Sequence, residues 1–225
     1  ESHQKYFPTF NSQNEITNEF LIVANRKDNK GFIKIGNERV VDARLNDAAF
    51  FWNKDKNQNL VKKVSDLKNM NFFKGLGTYF DKVQRMRKLG GIISDALLIS
   101  KEKVELSASI CKTDLTSELV GEFPELQGLM GGYFSAYQGF DKEISLAITE
   151  QYLPIGLNSR VPKRPFSFAL SISDKIDTIT GFFGIEEKPT SSKDPFALRR
   201  IALGIIRTII ENKKDLKIND LLNYS

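Results

Sequence analysis

With 225 residues and 40% hydrophobic content, the chain has enough apolar material for one large domain or two small ones. No run of 18 apolar residues and no charged-then-apolar leader occurs, which argues against a membrane span or a secretory signal, and the one cysteine, Cys111, excludes an internal disulfide and fits a reducing cytoplasm. Lys and Arg outnumber acids 33 to 28 for a net charge of +5, a modest attraction for polyanions, while a single histidine, His3, argues against most zinc-hydrolase and Ser-His-Asp schemes.

The opening stretch from Tyr6 to Ile35 mixes β-branched and aromatic residues with turn formers. Phe20-Leu21-Ile22-Val23, the polar run Asn25 to Gly31 and Phe32-Ile33-Lys34-Ile35 predict two strands joined by a turn. From Asn37 the spacing becomes helical, beginning with Val40, Val41, Arg44, Leu45, Ala48 and Phe51. Thr78 and Asp81 have the spacing of a capping box, after which Phe80, Val83, Met86, Leu89 and Ile93 form one apolar stripe and Lys82, Arg85, Arg87 and Lys88 fall on the remaining faces. The next helix is predicted to bury Val104, Ala108, Cys111 and Leu115, and Gly121-Glu122-Phe123-Pro124 interrupts the pattern. Pro165 suits a first helical position, followed by Ala169, Ile172, Ile176, Ile179 and Phe183 at intervals of three and four. Phe166, Phe168, Leu170 and Phe182 occupy the other sides, so this helix is predicted to be central and buried. Gly184 to Ser192 reads as a loop, and Asp194-Pro195 as the N-cap and first-turn proline of a helix from Phe196 to Glu211. The start at Glu1 and the close at Lys217 to Leu222, which reads as a helix cut short, suggest an internal fragment.

No phosphate loop occurs. Gly128-Leu129-Met130-Gly131-Gly132 lacks the lysine and hydroxyl such a loop uses, and its glycines suit close helix packing or a tight turn. Asp174 and Asp177 share a face of the buried helix and need cationic partners there, for which Lys175 or Arg164 is the expected choice. Asp114, at a helix junction, reads as an N-cap. Taken in order, Asp81, the pair Thr113-Asp114, and Asp174 resemble the HD phosphohydrolase layout of His, His-Asp and distal Asp, with Asp81 and Thr113 where histidines would stand. That resemblance implies an HD-type fold with a dead centre, holding no metal and no catalytic residue.

Several longer segments add a more specific resemblance. Ser2-His3-Gln4-Lys5-Tyr6-Phe7-Pro8, Gly36 to Phe51, Leu76-Gly77-Thr78 with Asp81-Lys82, Cys111 to Thr116, Glu122 to Gly131, Ala169 to Thr178 and Lys193 to Arg200 occur in the order found in the β subunit of the bacterial two-subunit glycyl-tRNA synthetase. The resemblance implies a mainly α chain. Residues 1–35 would end a sheet-containing α+β domain, 36–190 would be a degenerate HD-like helical domain, and 191–225 a helix leading toward a C-terminal anticodon-binding region. It further implies a cytoplasmic ligase subunit that binds and positions tRNA(Gly), with a separate α subunit as partner in an α2β2 heterotetramer. ATP would be used by the holoenzyme through that α subunit, and the fragment itself would need no cofactor.

Charge alone nominates the RNA contacts: Arg85, Arg87 and Lys88, then Arg160, Lys163 and Arg164, then Arg199, Arg200 and Arg207. The bland alternative is that these are solvated helix faces. Two competing readings of the whole remain, an active HD-type phosphohydrolase acting on nucleotides and a purely structural assembly module.

Overall fold

The computed structural model describes residues 6–224, so His3 and the rest of the Ser2 to Lys5 motif lie outside the described residues. Two compact units divide the chain after Phe50.

In the first unit, β1 (Phe7–Phe10) pairs antiparallel with β2 (Ile16–Leu21), Phe7 standing opposite Leu21 and Phe10 opposite Ile16. The connection turns on Asn11, whose side-chain oxygen accepts the backbone N–H groups of Gln13 and Glu15 at 3.0 and 2.9 Å. The predicted strand at Phe32–Ile35 is instead the first turn of α1 (Phe32–Asp55). Gly31, at φ +70°, reverses the chain ahead of it, and the Asp28 carboxylate accepts the Lys34 N–H at 2.8 Å. A four-residue apolar run does not distinguish a strand from a helix start, and the capping acid decides. Phe7–Phe10 is the strand that periodicity missed.

The second unit begins with the end of α1, where Trp52 stacks on Phe134 with ring centres 5.3 Å apart. It continues through α2 (Leu60–Lys63), a 3-10 turn, and a small antiparallel hairpin of β3 (Asn71–Phe73) and β4 (Gly77–Thr78). Then come α3 (Tyr79–Leu97), α4 (Lys101–Ile110), α5 (Glu118–Glu122), α6 (Leu129–Tyr137), α7 (Lys142–Glu150), α8 (Pro165–Gly184), α9 (Leu198–Glu211) and α10 (Ile218–Tyr224). The architecture is mainly helical, as expected.

α8 is central: every residue from Ser167 to Asp177 is buried, because α3, α4, α7, α9 and α10 all pack on it. Leu89, Ile93, Val104, Phe168, Ala169, Ile172, Ile176, Ile205 and Leu221 form the core cluster. Pro165 opens α8 as predicted, although Phe183 at its end is 43% exposed. α4 stops at Ile110, earlier than its apolar spacing implied, and leaves Leu115 half-buried in a following 3-10 turn. α9 starts at Leu198 rather than Phe196. The Asp194 carboxylate still caps it, accepting from the N–H groups of Leu198 and Arg199 at 2.8 and 3.0 Å, but Phe196 is diverted into an aromatic cluster and stacks 4.2 Å from Phe182. No helix among the described residues is long and apolar enough to cross a membrane.

Candidate functional site

α3 begins as the sequence predicts. The Thr78 hydroxyl accepts the Asp81 N–H, and the Asp81 carboxylate accepts the Thr78 N–H at 2.8 Å, which holds the exposed Asp81 below the usual carboxylate range. Asp81 is therefore spent on the cap. The next residue, Lys82, turns into the protein and is 2% exposed, a correction to its predicted place on an outer face.

Thr113 and Asp114 are likewise occupied by the backbone. The Thr113 hydroxyl donates to Ile110 O at 2.7 Å. Asp114 Oδ2 accepts the N–H groups of Gly128 and Gly131 at 2.5 and 3.2 Å, so this acid is a cap, for α6 rather than for its own turn. Burial raises its carboxyl to about 6 even though those N–H groups pull it down. Gly128 holds φ +81°, and a Cβ on Gly131 would lie 2.9 Å from Ile148, so the glycines serve a turn and close helix packing.

What converges at the centre is a set of lysines around Asp174. Lys82 Nζ lies 3.1 Å and Lys112 Nζ 3.2 Å from Asp174 Oδ1. Neither approach is aligned well enough to make a hydrogen bond to that oxygen, but both ammonium groups act on it at ion-pair range. Burial alone would raise the Asp174 carboxyl, and Lys112 and Lys82 outweigh it and hold the group far below its ordinary value. Lys82 also donates to Asp177 Oδ2 and Thr178 Oγ1, each at 2.9 Å, while Arg85 Nε donates to Asp177 Oδ1 at 2.5 Å. The expected partners are thus corrected. Lys175 instead donates to Leu153 O and Ser171 Oγ at 2.7 and 2.8 Å, and Arg164 sits 3.8 Å from Glu143.

Lys82, Lys112, Asp174, Lys175 and Thr178 border a cavity of about 370 Å³, lined in addition by Phe72, Tyr79, Gln127, Tyr152, Pro154, Ile155, Arg200 and Ile201. Lys82 lies 4.6 Å from the centre of the Phe72 ring and Lys112 4.1 Å from that of Tyr152, cation–π contacts that help hold buried ammonium groups. Burial works against the Lys112 ammonium, but Asp174, Cys111 and Asp114 together outweigh it and hold the group above the ordinary lysine value. Lys175 is different: burial, reinforced by Lys112 and Lys82 and only partly opposed by Asp174, lowers it to about 8.

The donors do not suit a divalent metal. Among the described residues no three His, Cys, Asp or Glu side chains are grouped to hold one, and the single carboxylate lining the cavity already faces two ammonium groups. The Cys111 thiol is buried and pushed up to about 12, which removes the thiolate a nucleophile requires. Sequence reasoning missed Lys82, Lys112, Tyr152 and Gln127. Only Lys82 left a signal, since it stands four residues before Met86 on the same helical stripe as Leu89 and Ile93.

Most of the basic residues nominated for RNA are already paired. Arg85 binds Asp177, Arg87 binds Glu105, Arg160 binds Glu150, Lys163 binds Glu211, Arg164 faces Glu143, Arg199 donates to Thr190 O, and Arg207 binds Glu211 and three backbone carbonyls. Lys88 on α3 and Arg200 on α9 are exposed and make no such pairing among the described residues. The structure does not gather the nine onto one element; it spreads them over α3, the segment leading into α8, and α9.

The model of one protein family, described as Glycyl-tRNA synthetase beta subunit, matches residues 1–225. The chain is 40% identical over 222 residues to the glycine–tRNA ligase beta subunit of Janthinobacterium sp. (strain Marseille), covering 98% of this chain and 32% of the relative. It is 44% identical over 227 aligned positions to that of Acinetobacter baumannii, covering 100% and 33%, and 42% identical over 216 to that of Rhodospirillum centenum, covering 94% and 30%. It spans about a third of the length of these curated relatives. The ordered motifs are therefore more than local coincidences, and the chain belongs to the glycyl-tRNA synthetase beta subunit family.

Proposed function

We propose that the chain acts as the central part of a cytoplasmic glycine–tRNA ligase β subunit, which binds and positions tRNA(Gly) while a separate α subunit, in an α2β2 assembly, activates glycine with ATP. The match of the whole chain to the β-subunit family carries this reading. The site supports a non-catalytic role, because its lysines take the space where a hydrolytic centre would need metal ligands or a base. In this reading the helical unit keeps an HD-type layout, with Asp81 at the start of α3, Thr113-Asp114 after α4 and Asp174 on α8 in the order of the His, His-Asp and Asp segments. Lys82 and Lys112, each next in sequence to one of these positions, turn to Asp174 instead. An active nucleotide phosphohydrolase fits these donors poorly.

Exposed ion pairs such as Arg164–Glu143 contribute little to the fold, so their arginines can be given up to phosphates at small cost. In the full two-subunit ligase, Lys88→Glu combined with Arg164→Glu is expected to raise KM for tRNA several-fold while leaving ATP-dependent glycine activation unchanged. Unchanged tRNA kinetics would overturn the positioning role, and loss of subunit assembly with normal tRNA affinity would favour a purely structural module.

A further inference from the structure

The cavity beside α8 carries more positive charge than the fold neutralises. Its lining holds Lys82, Lys112, Lys175 and Arg200 against Asp174 alone. Adding Arg85, Asp177 and Asp114 from around it still leaves five cations facing three carboxylates. The buried groups among them balance, three lysines against three carboxylates, so the surplus of two lies with Arg85 and Arg200 toward the open side, where a dianion would meet it.

Unused donors point the same way. Lys82 is saturated by the Asp174 backbone carbonyl, Asp177 and Thr178. Lys112 donates to Tyr152 Oη at 2.9 Å and faces Asp174 Oδ1 only at ion-pair range, and Lys175 donates to Leu153 O and Ser171 Oγ, so each ammonium keeps at least one N–H. The Tyr152 hydroxyl accepts from Lys112 and from Gln127 Nε2 and keeps its own hydrogen to donate. The Arg200 guanidinium at the edge has none of its donors engaged among the described residues. Donors from four segments suit the several oxygens of a phosphate. The volume, about 370 Å³, is in the range of small-molecule sites (roughly 300–1,000 Å³), and Phe72, Tyr79, Pro154, Ile155 and Ile201 supply an apolar wall.

We propose that this cavity binds a phosphate monoester of nucleotide size, its phosphate held by Lys112, Lys175, Tyr152 and Arg200 and its organic part set against the apolar wall. The site binds without hydrolysing, since among the described residues it groups no metal ligands and faces no thiolate. The proposal rests on this cavity alone and not on the tRNA reading. The ester can be a free nucleotide or the terminal phosphate of an RNA, and the test separates the two.

The experiment is calorimetric titration of the full-length β chain, without its α partner, with adenosine 5′-monophosphate, adenosine and inorganic phosphate. The nucleotide is expected to bind more tightly than either part. Arg200→Ala and Lys175→Met should each weaken it about tenfold or more, the loss expected for a charged hydrogen-bonding partner. Arg200 is exposed, so its variant does not depend on the core refolding. Displacement of the nucleotide by intact tRNA assigns the phosphate to an RNA end, and no displacement assigns it to a free nucleotide. Adenosine binding as well as its phosphate, affinity unchanged by both substitutions, or no binding at millimolar nucleotide would overturn the proposal. These results are separate from the Lys88 and Arg164 test, so either reading can fail alone.

Discussion

Lys82 holds two carboxylates 92 and 95 residues away along the chain, Asp174 and Asp177, and is one of the most enclosed charges in the molecule. Removing one partner of such a pair typically costs about 3–5 kcal/mol because the other is left buried and uncompensated. Lys175, the least well-compensated of the lysines, gives this arrangement a pH signature. Around it stand Lys82 from α3, Lys112 after α4, Asp174 on its own helix and Arg200 from α9, with the Leu153 carbonyl accepting one of its N–H groups. Its pKa of about 8 lies below the ordinary 10.5, so between those values the unfolded chain binds more protons than the folded one. Stability from this group therefore rises as pH climbs from about 8 toward 10.5, by a total on the order of 3 kcal/mol. Trp52 is the only tryptophan and lies in the second unit, so its fluorescence reports urea unfolding there. The expected outcome is that Lys175→Met loses this rise relative to the parent, and parallel pH profiles for the two chains would contradict it. The capping pair Thr78 and Asp81 was legible in the sequence because its partners are three residues apart. The lysine–aspartate centre was not, because spacing along the chain says nothing about partners more than 90 residues distant.

At the scale of elements, helix spacing located α3 and α8 well, since both bury a long face against several neighbours. The errors fall where a few side chains override the pattern: Asp28 starts α1 where a strand was expected, and Phe196 is drawn into its aromatic cluster, delaying α9. α6 and α7 depend on a contact that composition hints at through Gly131-Gly132. A Cβ on Gly132 would collide with the Thr149 hydroxyl and come within 2.9 Å of the Ser145 carbonyl oxygen on α7. The hydroxyl can be removed but the carbonyl cannot move without shifting the helix. Gly132→Ala should therefore cost about 1–3 kcal/mol in Trp52-monitored urea unfolding, the usual penalty of overpacking. Adding Thr149→Ala should recover only part of it. A Gly132→Ala chain as stable as the parent would show that α6 and α7 are less closely seated than described.

For the whole molecule, the helical class followed from composition and periodicity, and the family from motifs whose order spans the chain. Neither shows the division of compact units after Phe50, because α1 runs through that point without a break in its helical pattern. Nor does sequence say which of nine basic residues are free, since ion pairing is a property of the folded surface; the structure leaves Lys88 and Arg200 unpaired among the described residues. The most direct test of the tRNA-positioning account is the salt dependence of tRNA binding by the full two-subunit ligase, with and without Lys88→Glu and Arg164→Glu. If these residues meet phosphates, the logarithm of the binding constant falls linearly with the logarithm of salt concentration, and the double variant shows weaker binding with a slope shallower by about 1.5 to 2. Identical slopes and affinities for parent and variant would contradict the account.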